Sequence, residues 1–313
     1  MAPSWRIIFM GTPQIAAATL KQLLTGPDTV VGVVTQPDSA AGRGQKTSVS
    51  AVRKLAESHN LPVLAPEKIR SAAFLESLRQ WQPDIIVVVA YGRILPASIL
   101  ELAPQGCVNV HYSLLPKYRG AAPVAWTIIN GEVEAGVSTI KLVEKMDAGA
   151  IYLQEAIKLT GAETTGSLQT QLTPVGARLL LETIRRLKDG SLRATEQVES
   201  AATLAPILKK EDGLIDWLQS AREIERRIRG LDPWPGSFTH WSGKMLKIHR
   251  AVVVDTERRG APGEIIRADG AGFWVATSSG VLSLEEVQQE NKKRLPGVEF
   301  IRGARIKPGD RLA

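Results

Sequence analysis

Asn109-Val110-His111-Tyr112-Ser113-Leu114-Leu115-Pro116 contains the residue pair with the clearest chemical promise in this 313-residue chain. Alternate residues of an extended strand share a face, so Asn109 and His111 project to the same side. An asparagine amide can donate to an oxygen that gains negative charge, and an imidazole can take or give a proton near neutral pH. The same two side chains could equally satisfy each other and the backbone at a strand end. A second candidate, Asp147, lies in the turn-like Lys145-Met146-Asp147-Ala148-Gly149. It could orient an imidazole or help remove a proton from an amine, or it could be a backbone-bonded turn aspartate. Spacing alone does not bring it to His111. A third candidate is the polar stretch Gln36 to Thr47 (QPDSAAGRGQKT). Its Arg43 and Lys46 suit either a mobile arm that grips phosphates or an exposed connection.

Such groups need elements to position them. Arg6 to Met10 reads as an apolar strand ending at Gly11-Thr12-Pro13, followed by a helix over Gln14 to Leu24. Valine-rich Thr29 to Thr35 is the next strand, then a helix over Ser48 to Ser58, a short strand at Pro62 to Leu64 and a helix over Ala72 to Gln80. Asp84 to Ala90 (DIIVVVA) is an unbroken apolar run, as in a parallel strand covered on both faces. Cys107 to His111 is another strand. This alternation predicts an α/β domain with a doubly wound, mostly parallel sheet, whose ligands gather at the carboxyl ends of the strands.

Two adjacent strands are expected at Gly136 to Val143 and Ala150 to Leu159, then a helix over about 166 to 188 that Pro174 should kink or interrupt. The first domain is placed at 1–189, with the polar, irregular residues 190–205 as a linker. Residues 206–313 hold a helix at Ala221 to Arg229 and short strands at Lys244 to Val254, Gly263 to Arg267, Gly272 to Thr277 and Gly280 to Glu285. That spacing predicts a small β-barrel, with Trp217 and Trp234 in its packing.

Composition narrows the function. The chain is 44% hydrophobic and 23% charged, with a net charge of +7 and a pI of about 9.5. Polyanions such as nucleic acid head the possible partners. Residues 206–313 carry 19 Lys and Arg against 15 Asp and Glu. No apolar run approaches the roughly 20 residues of a membrane span. The start lacks a secretory pattern, and a single cysteine, Cys107, builds no disulfide framework. A cytoplasmic protein is expected. Gly11-Thr12-Pro13 has neither the Gly-rich dinucleotide fingerprint nor a Walker lysine. The histidines at 59, 111, 240 and 249 show no metal-ligand spacing, so no metal is expected.

Taken together, these segments resemble the folate-dependent formyltransferases. Asn109-Val110-His111 with Ser113-Leu114-Leu115-Pro116 and Arg119-Gly120-Ala121-Ala122-Pro123 is similar to that family's catalytic strand and folate-contacting loop. Met146-Asp147-Ala148-Gly149 is similar to the segment that supplies its catalytic aspartate. The resemblance implies that Asn109, His111 and Asp147 meet in one catalytic site, and that Ser113, Leu114, Leu115 and Pro116 contact the folate. It also implies 10-formyltetrahydrofolate as the formyl donor and a Rossmann-like catalytic domain followed by an OB-type barrel.

Gln36-Pro37-Asp38 with Ala41-Gly42-Arg43-Gly44, Ile215-Asp216-Trp217 and Asp232-Pro233-Trp234-Pro235 resembles the branch of the family that acts on tRNA. That implies initiator methionyl-tRNA as acceptor, tRNA contacts from Arg43, Lys46 and the C-terminal domain, and action as a monomer. A formyltransferase for a small amine such as a nucleotide sugar, and a nonenzymatic RNA-binding protein on the same core, stay open. Tyr112 departs from the family, which has a small residue there, and could narrow the pocket or stack on a ligand. Gln14, Ile15, Ala150 and Asn291 are lesser departures.

Overall fold

The computed structural model describes residues 4–41, 46–257 and 259–313. In chain order the elements are β1 (Arg6–Gly11), α1 (Gln14–Leu23), β2 (Thr29–Val34), β3 (Ser39–Ala41), β4 (Lys46–Ser48), α2 (Ala51–Ser58), β5 (Val63–Leu64), α3 (Ala72–Gln80), β6 (Ile85–Val89) and α4 (Ala97–Leu100). They continue with β7 (Cys107–His111), β8 (Arg119–Gly120), α5 (Pro123–Ile129), β9 (Glu134–Lys141), β10 (Ile151–Lys158), α6 (Thr165–Lys188) and β11 (Leu204–Ala205). The last are α7 (Ala221–Gly230), β12 (Ser237–Trp241), β13 (Lys244–Asp255), β14 (Ile265–Asp269), β15 (Gly272–Ala276), β16 (Val281–Gln289), β17 (Leu295–Pro296) and α8 (Gly297–Ala304). One compact unit comprises Met1–Pro123, Glu134–Ile157 and Gln169–Ala205; the other comprises Val124–Val133, Lys158–Leu168 and Pro206–Ala313.

The first unit is built on a seven-stranded sheet of order β10-β9-β7-β6-β1-β2-β5. From β5 through β7 every pairing is parallel, and β9 runs antiparallel to β7. All five residues of β6 are buried, as the unbroken Ile-Ile-Val-Val-Val run requires of a strand covered on both faces. Successive strands depart from β1 in opposite directions, so the order reverses between β1 and β6. The strand ends there are tied together. The Gln36 side-chain amide donates to Tyr91 O at 2.7 Å, Thr12 Oγ1 donates to the same carbonyl at 3.3 Å, and Gln36 N donates to Thr12 Oγ1 at 3.4 Å.

Three stretches carry more structure than their sequence suggests. α6 runs unbroken through Pro174. The missing donor costs about 3 kcal/mol, but Leu172, Leu179, Leu180 and Ile184 are buried along one side. Each such side chain is worth about 1.5–3 kcal/mol, so tertiary burial outweighs the local penalty. The segment 190–205 is irregular yet bonded. Thr195 and Ile151 exchange backbone hydrogen bonds, and β11 pairs with β8 in parallel. The stretch read as a polar loop also contains a short hairpin, β3 against β4.

The second unit is an antiparallel sheet of order β12-β13-β16-β15-β14, with β17 on β16. Asp310–Ala313 close it into the barrel of OB type. Ile265 N donates to Asp310 O and Leu312 N to Gly263 O, while His240 and Ala313 exchange backbone bonds. Residues 310–313 thereby bridge the two edge strands. Inside lie Phe273, Leu246, Leu282 and Leu312, with Ile224 and Ile228 from α7, whose start is held by a Ser220–Glu223 capping box. Trp217 is buried, and its Nε1 donates to Thr239 Oγ1 at 3.1 Å. Trp234, expected in this packing, is 57% exposed, in a turn outside any strand or helix. Leu312→Ala leaves a cavity beneath the closing tail. It should cost about 2–5 kcal/mol, read as a lower midpoint in urea unfolding followed by tryptophan fluorescence.

Candidate active site

β7 carries Asn109 and His111 to the carboxyl end of the parallel strands. Asn109 is 8% exposed and His111 5% exposed. The alternation of the strand turns Val110 and Tyr112 to the other side. There they meet α6: a methyl group added at Gly176 would lie 3.1 Å from Val110 Cγ1 and 3.2 Å from the Tyr112 hydroxyl. Tyr112 therefore packs under the helix and does not narrow the space beside His111. Burial pushes its phenol up to about 12, and the hydroxyl has no hydrogen bond of normal geometry.

The imidazole is held at both edges. His111 Nε2 lies 2.8 Å from Tyr118 O. A carbonyl only accepts, so Nε2 carries the proton and Nδ1 bears a lone pair in the neutral ring. Nδ1 lies 3.6 Å from Asp147 Oδ2, whose side chain is 12% exposed. Asp147 itself has a positive φ of 49°. Its Oδ2 also accepts from Gly120 N at 2.9 Å. The structure thus brings Asp147 to His111, with Asn109 on the same strand face. Among the described residues, the Asn109 amide has no hydrogen-bond partner, so its donors are unspent.

The segment after β7 is fixed from within. Ser113 Oγ donates to Lys117 O at 2.6 Å. Ser138, opposite His111 on β9, donates to Ser113 O at 2.6 Å and accepts from Leu115 N at 3.1 Å. Gln154 Nε2 donates to Leu115 O and to Ser138 Oγ, both at 2.8 Å. Of the four expected folate contacts, Ser113 and Leu115 are buried, while Leu114 and Pro116 keep partial exposure. Arg43 lies outside the described residues. Lys46 is the first residue of β4, and only its backbone is described.

Sequence reasoning missed the residues that brace this arrangement. Gln197 Nε2 donates to Asp147 O at 2.7 Å and Gly149 O at 2.8 Å. Buried Arg119 donates to Gln197 Oε1 and to Glu199 Oε2, both at 3.0 Å. Lys145 bonds the other Glu199 oxygen at 2.5 Å, and these bonds, Lys145 first, hold the Glu199 carboxyl below the usual carboxylate range. Gln197 and Glu199 sit in an irregular stretch with no periodicity to mark them. Among the described residues, no group of three or more His, Cys, Asp or Glu could hold a metal, and no helix is long and apolar enough to cross a membrane.

Comparison with known proteins agrees with this architecture. Residues 5–184 match the formyl transferase family and residues 207–305 the formyl transferase C-terminal domain. The chain belongs to the formyl transferase family, a class of enzymes that move a one-carbon group. Within it the chain groups with the methionyl-tRNA formyltransferases. It is 50% identical to that of Desulfotalea psychrophila, covering 97% of this chain and 94% of the relative. It is 44% identical to that of Geobacter sulfurreducens, covering 98% and 96%. The fold is shared with WlaRD, a sugar 3N-formyl transferase solved with dTDP and 5-N-formyl-THF, at 17% identity and TM-score 0.67, over 93% of this chain and 100% of that one. It is shared also with HypX of Aquifex aeolicus in complex with tetrahydrofolic acid, at 18% identity and TM-score 0.62, over 96% and 47%.

The placement of Tyr112 makes a prediction. The folded chain holds the phenol proton more tightly than the unfolded chain does. Its contribution to stability is therefore complete below about pH 10 and is lost as pH rises toward about 12. Tyr112→Phe should keep turnover within about twofold, since the removed hydroxyl lies against α6 on the strand face away from His111. It should also lessen the loss of stability above pH 10, as followed by unfolding midpoints across pH. A large drop in turnover would mean that Tyr112 reaches the reacting groups.

Proposed function

We propose that this chain transfers the formyl group of 10-formyltetrahydrofolate to the free amino group of initiator methionyl-tRNA. The observation that carries the reading is the meeting of His111 and Asp147 beside the unpaired Asn109 amide, in a chain of this family. Formyl-folate supplies a formyl group on an activated nitrogen. Such a donor suits the stretch that follows β7, where Leu114 and Pro116 keep partly exposed apolar surface.

Formylation removes one proton from the amine and returns one to the departing nitrogen. His111 Nδ1 and Asp147 Oδ2 both bear lone pairs and face each other, so together they receive a single proton. With that proton on Nδ1, the imidazolium has an acceptor on each side, Tyr118 O at Nε2 and Asp147 at Nδ1. Asn109 donates to the formyl oxygen as it gains charge. Neither side chain becomes covalently attached. His111→Ala and Asp147→Asn should each lower turnover by about 10²–10⁴-fold while tRNA affinity is kept. The assay is formyl transfer to initiator methionyl-tRNA, beside methionyl-elongator tRNA and a nucleotide-sugar amine. Activity on the sugar amine alone, or near-normal turnover by either variant, would overturn the assignment.

The acceptor's phosphates have a match in the second unit. Arg222, Arg226 and Arg229 recur on one side of α7 and line a cavity of about 680 Å³. Arg229 pairs with Glu225, and Glu163 is spent on Thr160 and Gly161. Among the described residues, Arg222 and Arg226 form no close ion pair, although the charge of Glu223 reaches Arg226. Arg222→Ala and Arg226→Ala should each weaken tRNA binding and reduce its salt slope by about one. Unchanged slopes would remove this face from the tRNA interface.

A further inference from the structure

The hydrogen bonds that set the positions of His111 and Asp147 return to one short segment beyond α6. Thr203 Oγ1 accepts from Tyr118 N at 2.8 Å, and Thr203 O accepts from Arg119 N at 2.8 Å. Tyr118 is the residue whose carbonyl receives His111 Nε2. Ala205 O accepts from Ala121 N at 2.9 Å and lies 2.5 Å from the position a Cβ would take on Gly120. Gly120 N in turn donates to the Asp147 carboxylate. At the other end of the segment, one Gln197 amide spans both carbonyls of the Asp147 turn. Residues 197–205 thus form a strap across the site, touching the partner of each reacting side chain.

Gln197 is the most demanding element of that strap. Its nitrogen gives two hydrogen bonds to Asp147 O and Gly149 O, and its oxygen takes one from Arg119 Nε. Only a side-chain amide supplies two donors and an acceptor at that reach. The turn it holds is strained at Asp147, where φ is positive in a non-glycine residue, so outside partners must keep its shape. The turn cannot slide toward β9 either, since a methyl at Gly149 would fall 1.7 Å from Lys141 O.

We propose that Gln197 is a positioning residue for formyl transfer, fixing the Asp147 carboxylate at the distance from His111 at which the pair takes up the amine proton. This rests on the reading of His111 and Asp147 as the proton-handling pair. A displacement of about 1 Å at such a pair costs on the order of 10²-fold in rate. Gln197→Leu keeps the size of the side chain and removes all three hydrogen bonds. Gln197→Glu keeps the acceptor for Arg119 and removes both donors to the turn.

The test measures kcat, each KM and the pH dependence of kcat for Gln197→Leu, Gln197→Glu, Asp147→Asn and the Asp147→Asn/Gln197→Leu double variant. Both Gln197 variants should lose about 10–100-fold in kcat with either KM changed by less than about threefold. They should also shift the pH dependence, which a purely structural loss leaves alone. The double variant should be no slower than Asp147→Asn, because a residue that acts through Asp147 has nothing left to position. If Gln197→Leu fails to fold, Gln197→Glu carries the same comparison. Near-normal kcat in the Gln197 variants beside an impaired Asp147→Asn would overturn the strap alone. Normal activity in Asp147→Asn would instead overturn the reading on which it rests.

Discussion

A single backbone hydrogen bond, Gly120 N–H to the Asp147 carboxylate, is the joint on which the site depends. β9 leaves the sheet at Lys141, which pairs with Val108, three residues below His111 on the neighbouring strand. At about 3.3 Å per residue, the turn bearing Asp147 must double back roughly 10 Å along the strand face to reach the imidazole. Gly120 catches the carboxylate there. Its φ of 128° and its approach to Ala205 O exclude any side chain, so the same residue admits the strap on one side and the aspartate on the other.

Burial gives these polar contacts their weight. Asn109 and His111 are nearly enclosed, and Tyr112 and Val110 seal the reverse face of the strand against α6. In such surroundings charges and dipoles interact more strongly than in water, and an unpaired donor is costly to keep. The Asn109 amide has no protein partner among the described residues, yet it is not fully enclosed, so its donors stay available. Arg119 does bear the cost. It is 3% exposed, and two of its nitrogens are bonded into the strap while Nη2 has no partner.

Much of the scaffold was legible because local patterns encode it. The apolar run of β6, the valine-rich β2 and the helices capped by Ser50 and Ser71 follow from composition and periodicity within a few residues. Asn109 and His111 could be placed on one face from strand alternation alone. The approach of Asp147 to His111 could not, since it depends on a loop folding back and on partners dozens of residues away; only resemblance implied it. Residues 190–205 are a different case. They lack helical or strand periodicity, which suggested a linker, yet irregular backbone bonds as firmly as regular backbone when its groups meet buried partners. Pro174 does not interrupt α6, because burial along the helix outweighs the local penalty.

Closure of the barrel by Asp310–Ala313 has a consequence for the order of synthesis. Domains form as units while a chain emerges, the earlier one first. The first unit is complete in sequence at Ala205, whereas the second waits for Asp310–Ala313 to bridge β12 and β14. Until those residues leave the ribosome, the two strands keep open edges, the feature by which sheets join one another wrongly. A nascent chain that stalls before Asp310 would therefore hold a formed first unit beside an unsealed, aggregation-prone second one.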